Sequence, residues 1–534
     1  MMLGLQQADP SLVPPGPALP RRAAWAGWRG LLVGLLVAGL LGPGRVLQAG
    51  PLRLYGYGTA AMALGNADAA LGSSYAVLDS NPALLTAIPP GLELGSLFAY
   101  TSVSARLLPK PPGTDVPLSY YSSDVGVAST THMTDRPLPT IELPVRRHDN
   151  EIAQLDEYLI LSLGDDFGVP RLRVGLLLAL PLSGMADIHS HYDDELAQFN
   201  SNTVHFTRFG EWDRVFTGFG GAAYDLTDWL SLGLALQVAT QTVVDMRTYV
   251  PDSRVSSTVI ADTRMQIESG LRPVAGLALR PGAGLHLGLT WRSALKVQSD
   301  AKTRMALWNY HESADDEESG LARLKVSETA VPMVFNFEPL EVGLALGGEF
   351  SRLRVQALVS WQRWSRFLDH HGRTPAEAAA FDPVNPGDLP IDSSDFAFSD
   401  VFAFNGGLSY NYWRDWVVHL GGAYQPSPVP AQVGATSFAD SDLLLLALGH
   451  RLGLRLAGLP LQLELAVQLW RLVDKTVHKD PALVRDEFPD GARTILELQP
   501  MPESEGLQTN NPGFPGYLLT GWEVVTGLSL RYAP

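Results

Sequence analysis

WLSLGLALQVAT, residues 229–240, sorts its side chains by the parity of the residue number. Leu230, Leu232, Leu234, Leu236 and Val238 share one face of an extended chain, while Ser231, Gly233, Ala235, Gln237 and Ala239 share the other. The same period of two sets Leu285, Leu287, Leu289 and Trp291 against His286, Gly288, Thr290 and Arg292. It also sets Leu461, Leu463, Leu465, Val467 and Leu469 against Gln462, Glu464, Ala466 and Gln468, and returns in the last strand with Trp522, Val524, Leu528 and Leu530. Alternation of this kind fits a soluble sandwich as well as a membrane barrel. The connections between strands separate the two.

The pattern predicts strands over 91–106, 151–163, 171–183, 211–224, 229–247, 264–280, 284–298, 333–349, 352–366, 400–412, 415–425, 441–454, 459–476 and 516–532. Connections after odd-numbered strands are long: 107–150, 184–210, 248–263, 299–332, 367–399, 426–440 and 477–515. Those after even-numbered strands are tight, as at Asp225-Leu226-Thr227-Asp228, Arg280-Pro281-Gly282-Ala283 and Trp413-Arg414-Asp415. Alternating long and short ends on an even strand count is the pattern of an all-β, transmembrane antiparallel barrel of about 14 strands, which closes without an edge as lipid requires. Its apolar faces are expected toward lipid and its polar set, including Arg292, Arg352, Arg354, Gln356, Glu464 and Gln468, toward the interior. Trp212, Trp229, Trp291, Trp361, Trp364, Trp413, Trp416 and Trp522 lie near strand ends often enough to form interfacial belts, while some of them are simply core. Pro273 is a misfit inside the sixth strand.

Composition agrees. The 534 residues carry 39 Lys plus Arg against 56 Asp plus Glu, a net charge of −17 that argues against a nucleic-acid partner. The absence of cysteine excludes disulfides, thiol catalysis and cysteine-ligated metal. Arg21, Arg22 and Arg29 precede an apolar stretch from Leu31 to Leu41, and Leu47-Gln48-Ala49 follows a Gly/Pro break, so residues 1–49 have the form of a secretory signal peptide cleaved near Ala49. The apolar stretch is far shorter than the ~20 residues of a spanning helix. Between it and the first strand, the Gly/Ala-rich segment Tyr55–Ala87 is too apolar for a free tail and too small in its side chains for a core of its own. Packing inside the barrel resolves both difficulties, because small residues permit close backbone approach.

Asn81-Pro82-Ala83-Leu84-Leu85, just before the first strand, resembles the hatch motif of the FadL family of outer-membrane transporters for long-chain fatty acids and other hydrophobic compounds. Trp364-Ser365-Arg366-Phe367, the stretch from Asp400 to Tyr410, GGAYQPSPVPAQ at 421–432 and Asp440-Ser441-Asp442 are similar to that family in order and spacing, as is Trp291-Arg292-Ser293 with Lys296. The resemblance implies a monomeric barrel at 91–534 whose N-terminal hatch, at 50–90, plugs the lumen. It also implies uptake of long-chain fatty acids or aromatic hydrocarbons by extracellular capture, hatch movement about Asn81, Pro82 and Ala83, and lateral release beside a kinked third strand. Pro181, which lacks a ladder donor, and Gly184 mark that kink, unless Pro181 merely ends the strand. Asn81 has a second reading as the cap of a turn that Pro82 starts. Arg292 and Lys296 are candidates to receive a carboxylate, although such cations more often pair with interior acids.

Other constellations point nowhere further. His189, His191, Asp193, Asp194 and Glu195 have the look of solvated loop rather than a metal site, as do His370 and His371. The loose dinucleotide fingerprint at Gly56–Ala61 follows no strand, and no catalytic motif or cofactor is expected. The rival function class is a FadL-like outer-membrane protein that binds partner proteins through its long loops, as a secretion or anchoring component.

Overall fold

Alternating side chains become a wall once each strand finds its neighbour. The computed structural model describes residues 52–114, 150–182, 204–209, 216–249, 260–311, 320–367, 397–434, 436–456, 458–484, 486, 490–491, 505–509, 511 and 513–533, with backbone alone at 150, 205, 241–249, 260–268, 296–311 and 320–336. Fourteen strands form the wall: β1 (Gly91–Leu107), β2 (Asn150–Asp165), β3 (Leu172–Pro181), β4 (Phe216–Asp225), β5 (Leu230–Tyr249), β6 (Ile260–Gly282), β7 (Leu285–Arg292), β8 (Leu340–Phe350), β9 (Leu353–Arg363), β10 (Val401–Trp413), β11 (Trp416–Gln425), β12 (Leu443–Leu456), β13 (Leu459–Leu472) and β14 (Gly516–Tyr532). Each pairs antiparallel with its neighbours in sequence, and β14 returns to β1 in a ladder from Leu92↔Tyr532 to Leu107↔Tyr517. Closure leaves no strand edge for lipid to meet.

Parity sets the faces. In β5, Leu232 and Leu234 point outward while Ser231, Gln237 and Ala239 are fully buried inside; in β13, Leu465, Val467 and Leu469 point outward, and Glu464, Ala466, Gln468 and Trp470 point inward. Trp229, Trp291, Trp413 and Trp522 stand on the outer surface. Trp364 does not: it is buried at the loop end of β9. Arg352 also departs from expectation, because it lies on the exposed turn between β8 and β9 instead of facing the lumen.

Two differences from the sequence pattern have simple causes. The expected loop 299–332 is a two-stranded hairpin, Leu295–His311 with Gly320–Glu338, standing beyond β7 and β8. Outside the lipid zone no apolar face is required, so the alternation that marks wall strands gives no warning of it. Pro273 is tolerated because the β6–β7 ladder stops at Val274↔Arg292, while its carbonyl still accepts from Ser293 N at 3.2 Å. The missing donor therefore falls where the ladder is ending.

Against the inward faces lies the segment preceding β1, made of the short helices α1 (Leu52–Tyr55), α2 (Thr59–Ala63) and α3 (Val77–Ser80) and a 3-10 turn at Pro82–Ala87. Irregular backbone needs outside partners for its polar groups, and inward polar side chains supply them. Gln468 donates to Tyr55 O (2.9 Å) and Met62 O (3.0 Å), Asn405 to Gly65 O (2.7 Å) and Thr290 to Ser80 O (2.7 Å); Gln356 accepts from Leu71 N (3.1 Å). The inward polar set thus serves mainly to bind this segment.

Candidate functional site

The Asn81-Pro82-Ala83 step sits where the segment meets the wall. Asn81 is extended, its side chain accepts from Ala83 N at 3.2 Å, and Pro82 occupies the first position of the 3-10 turn. This is the capping arrangement, with proline placed where its missing N–H costs nothing. The same amide also donates to Ala69 O (2.9 Å) and to Leu277 O of β6 (3.1 Å), a bond to the wall that the local motif does not reveal. The wall offers glycine opposite: a Cβ on Gly233 would lie 2.3 Å from Ala83 N and Pro82 C. Backbone meets backbone there, which only glycine allows.

Higher in the lumen, charge replaces close packing. Arg53 of α1 meets Glu338 at 3.4 Å and also Glu341; Arg272 of β6 meets Glu338; Arg292 of β7 meets Glu341, Asp79 Oδ1 at 3.4 Å and the Asp79 carbonyl at 2.9 Å. Three guanidinium groups and three carboxylates form one buried network joining the segment to β6, β7 and β8. Burial makes each ion costly alone and strongly held together. Of this network only Arg292 stood out in sequence, because its partners come from elements far apart in the chain. Arg292 is occupied by Glu341 and Asp79, and the side chain of Lys296 lies outside the described residues.

Above the network the loop-end motifs converge. Phe367 stacks on Phe398 with ring centroids 4.0 Å apart, and Phe337, Trp364 and Phe438 close around them. Ser427 ties the chain after β11 to the start of β12 through Asp440 Oδ2 (2.7 Å) and Asp442 Oδ1 (2.8 Å), and Gln432 accepts from Phe438 N at 2.9 Å. The 421–432 and 440–442 motifs are therefore one structural unit that positions the aromatic cluster. Between cluster and network lies a cavity of about 160 Å³, reached by Phe337 and Trp364 from the loop side and by Arg53, Tyr57 and Asp68 from the segment. Burial pushes the Asp68 carboxyl up to about 6.

Pro181 is the last residue of β3. It pairs with Tyr158 of β2, and the β3–β4 ladder runs without a register shift from Leu172↔Tyr224 to Ala179↔Thr217. The strand is thus regular up to its proline; Gly184 and the histidines at 189, 191, 370 and 371 lie outside the described residues.

No protein-family model and no curated protein matches the sequence. Among solved structures, the chain is similar to a Pseudomonas aeruginosa FadL homologue, with 92% of this chain and 99% of that one covered at a TM-score of 0.52 and 13% identity. The barrel has the FadL fold. The toluene transporter TodX of P. putida is matched over 90% of this chain and 98% of its own at a TM-score of 0.44 and 13% identity. TbuX, a toluene transporter of Ralstonia pickettii, is matched over 90% and 99% at 0.42 and 12%. Within the FadL fold of this chain, the capped turn and the ion network lie between the luminal segment and the wall, and the aromatic cluster lies beyond them at the loop end, across the cavity.

Proposed function

We propose that this chain is an outer-membrane transporter of hydrophobic molecules, with long-chain fatty acids as the first cargo to test and aromatic hydrocarbons as the second. In this reading, residues 1–49 are a cleaved signal peptide, 50–90 the hatch and 91–534 a monomeric barrel. The observation that carries it is the adjoining of an apolar aromatic cluster at the loop end to a cavity whose floor is the segment preceding β1, which is held to the wall strands across the lumen by non-covalent contacts. Burial of a methylene is worth about 0.8 kcal/mol, so a long chain gains enough from such a cluster to be captured from dilute solution. Onward passage requires the segment to move, and its ion pairs and capped turn are exchangeable for water, unlike a continuous sheet. In this reading lateral exit lies beside the end of β3; what supports it is that Pro181 offers no ladder donor beyond the last described pairing with β4, at Ala179.

The chain has no cysteine, so one engineered disulfide can test this directly. Thr86 and Ser231 bring their hydroxyls to 3.5 Å across the segment–wall contact. In outer-membrane-bearing cells lacking their own transporter, the parent chain is expected to take up labelled oleate or toluene. The Thr86→Cys/Ser231→Cys variant is expected to lose uptake when oxidised and to recover it on reduction. Undiminished uptake by the oxidised variant would remove hatch movement from the mechanism. A folded parent barrel that takes up neither compound would turn the reading to partner binding by the loops.

A further inference from the structure

The cavity's lining is unbalanced in a way that bears on cargo. Three arginines reach it, Arg53, Arg208 and Arg292, against four acids, Asp68, Asp79, Glu338 and Glu341. Every one of these cations is already engaged: Arg53 by Glu338 and Glu341, Arg292 by Glu341 and Asp79, and Arg208 by Asp440 at 2.9 Å with the Ser441 carbonyl beyond. None of their nitrogens is a buried donor lacking a partner.

The acceptors tell the opposite story. Asp68 Oδ2, Glu338 Oε1 and Asn66 Oδ1, acceptors only, are buried, line the cavity and have no hydrogen-bond partner, and the same holds for the hydroxyls of Tyr57, Ser80 and Thr207, which can donate as well as accept. Asp68 and Tyr57 are only 1% and 2% exposed. The orientation of Asn66 follows from its amide nitrogen, which donates to Leu54 O at 2.6 Å and so leaves the oxygen as the free end. A buried acceptor without a donor is costly, and a ligand that brings a donor recovers that cost on binding. A carboxylate would bring only further acceptors to a lining in which acids outnumber bases. A hydroxyl would meet what is unfilled.

We propose that this cavity binds the hydroxyl head of an uncharged amphiphile, a long-chain alcohol being its simplest form, with the alkyl chain directed toward Phe337 and Trp364. The head donates to Asp68 or Glu338 and accepts from the Tyr57 hydroxyl, and the chain lies on the aromatic cluster. This rests on the transport reading and names the cargo class of the same site.

The test is equilibrium binding of tritiated 1-dodecanol, 1-methoxydodecane and dodecanoate to the full barrel in lipid nanodiscs, with empty nanodiscs as the blank. The alcohol is expected to bind about tenfold more tightly than its methyl ether, which is the worth of one hydrogen bond, and more tightly than dodecanoate. Tyr57→Phe removes an oxygen that has no partner and so leaves the fold intact; it is expected to weaken alcohol and ether alike, several-fold, because an ether oxygen also accepts from the phenol. Asp68→Ala removes an acceptor that only the alcohol can use, and is expected to weaken the alcohol several-fold and leave the ether unchanged, with barrel integrity checked by the heat-dependent shift in gel mobility. Equal affinity for alcohol and ether, a preference for dodecanoate, or insensitivity to both substitutions overturns the headgroup assignment while leaving transport standing. A folded barrel that binds none of the three overturns both.

Discussion

The luminal segment is held by two walls of different character. Toward β1–β4 and β12–β14 it packs against Val103, Tyr158, Leu177, Phe219, Trp470 and Tyr517, a continuous apolar core in which Tyr57 meets Phe219 edge to face at 4.8 Å. Toward β6–β8 it is held by Arg272, Arg292, Glu338 and Glu341 through Arg53 and Asp79. Apolar burial weakens gradually as surfaces part, whereas a buried ion pair is stable only while every member is present. One side is therefore held by contact area and the other by a set of mutually dependent charges.

The largest effect is expected from the ion network. Arg292→Ala leaves Glu341 and Asp79 buried with one cation fewer, and loss of one partner from such a pair costs about 3–5 kcal/mol. Hydrogen exchange of the amides at 77–87 should accelerate far more than that of the wall strands. Equal acceleration in both would show that the network braces the wall rather than the segment, and the contrast would fall.

Protonation acts next. Burial raises the Asp68 carboxyl to about 6, with Asp79 adding to the rise and Arg292 opposing it. Since the folded value lies above the ordinary one, this group's contribution is complete below about pH 4 and is lost as pH rises through about 6, a change on the order of 3 kcal/mol. Exchange at 77–87 should be slower at pH 4.5 than at 7.5, after correction for intrinsic rates, and Asp68→Asn should flatten the difference.

Close packing gives a smaller response. Gly233→Ala puts a Cβ 2.3 Å from backbone atoms of Pro82 and Ala83, and relieving such overpacking costs about 1–3 kcal/mol. Because no charge is involved, its effect on exchange should be the same in low and high salt. A salt-dependent effect would mean that the two walls are not independent. Asn81→Ala removes the cap, for about 1–2 kcal/mol, and should speed exchange at Ala83 first. Acceleration confined to Ala83 would assign Asn81 to the turn alone; spread to Leu277 would assign it to the wall contact as well.

How much was legible in the sequence depended on whether a residue's partner is local. Leu232, Leu234 and Leu465 declared their outward face because the neighbour two positions away repeats it, and Asn81-Pro82 declared a turn because cap and first residue are adjacent. Trp364 is one of the tryptophans that prove to be core, which sequence could not single out, since an aromatic residue near a strand end looks the same whether it turns outward or into Phe398. Pro181 keeps both of its readings, because the ladder to β4 runs regularly up to Ala179 and a proline that ends a strand looks the same in sequence as one that kinks it.

By itself the sequence determined the barrel: lipid imposes an apolar face on every strand, and that demand is written at period two in each of them. The luminal partnerships were decided by tertiary structure alone. Arg53 reaches Glu341 across 288 residues and Gln468 reaches Tyr55 across 413, and a single charge or amide carries no periodic trace of a partner so far along the chain. Only closure of the wall around the segment brings those groups within reach, and only then does burial make each one require its partner.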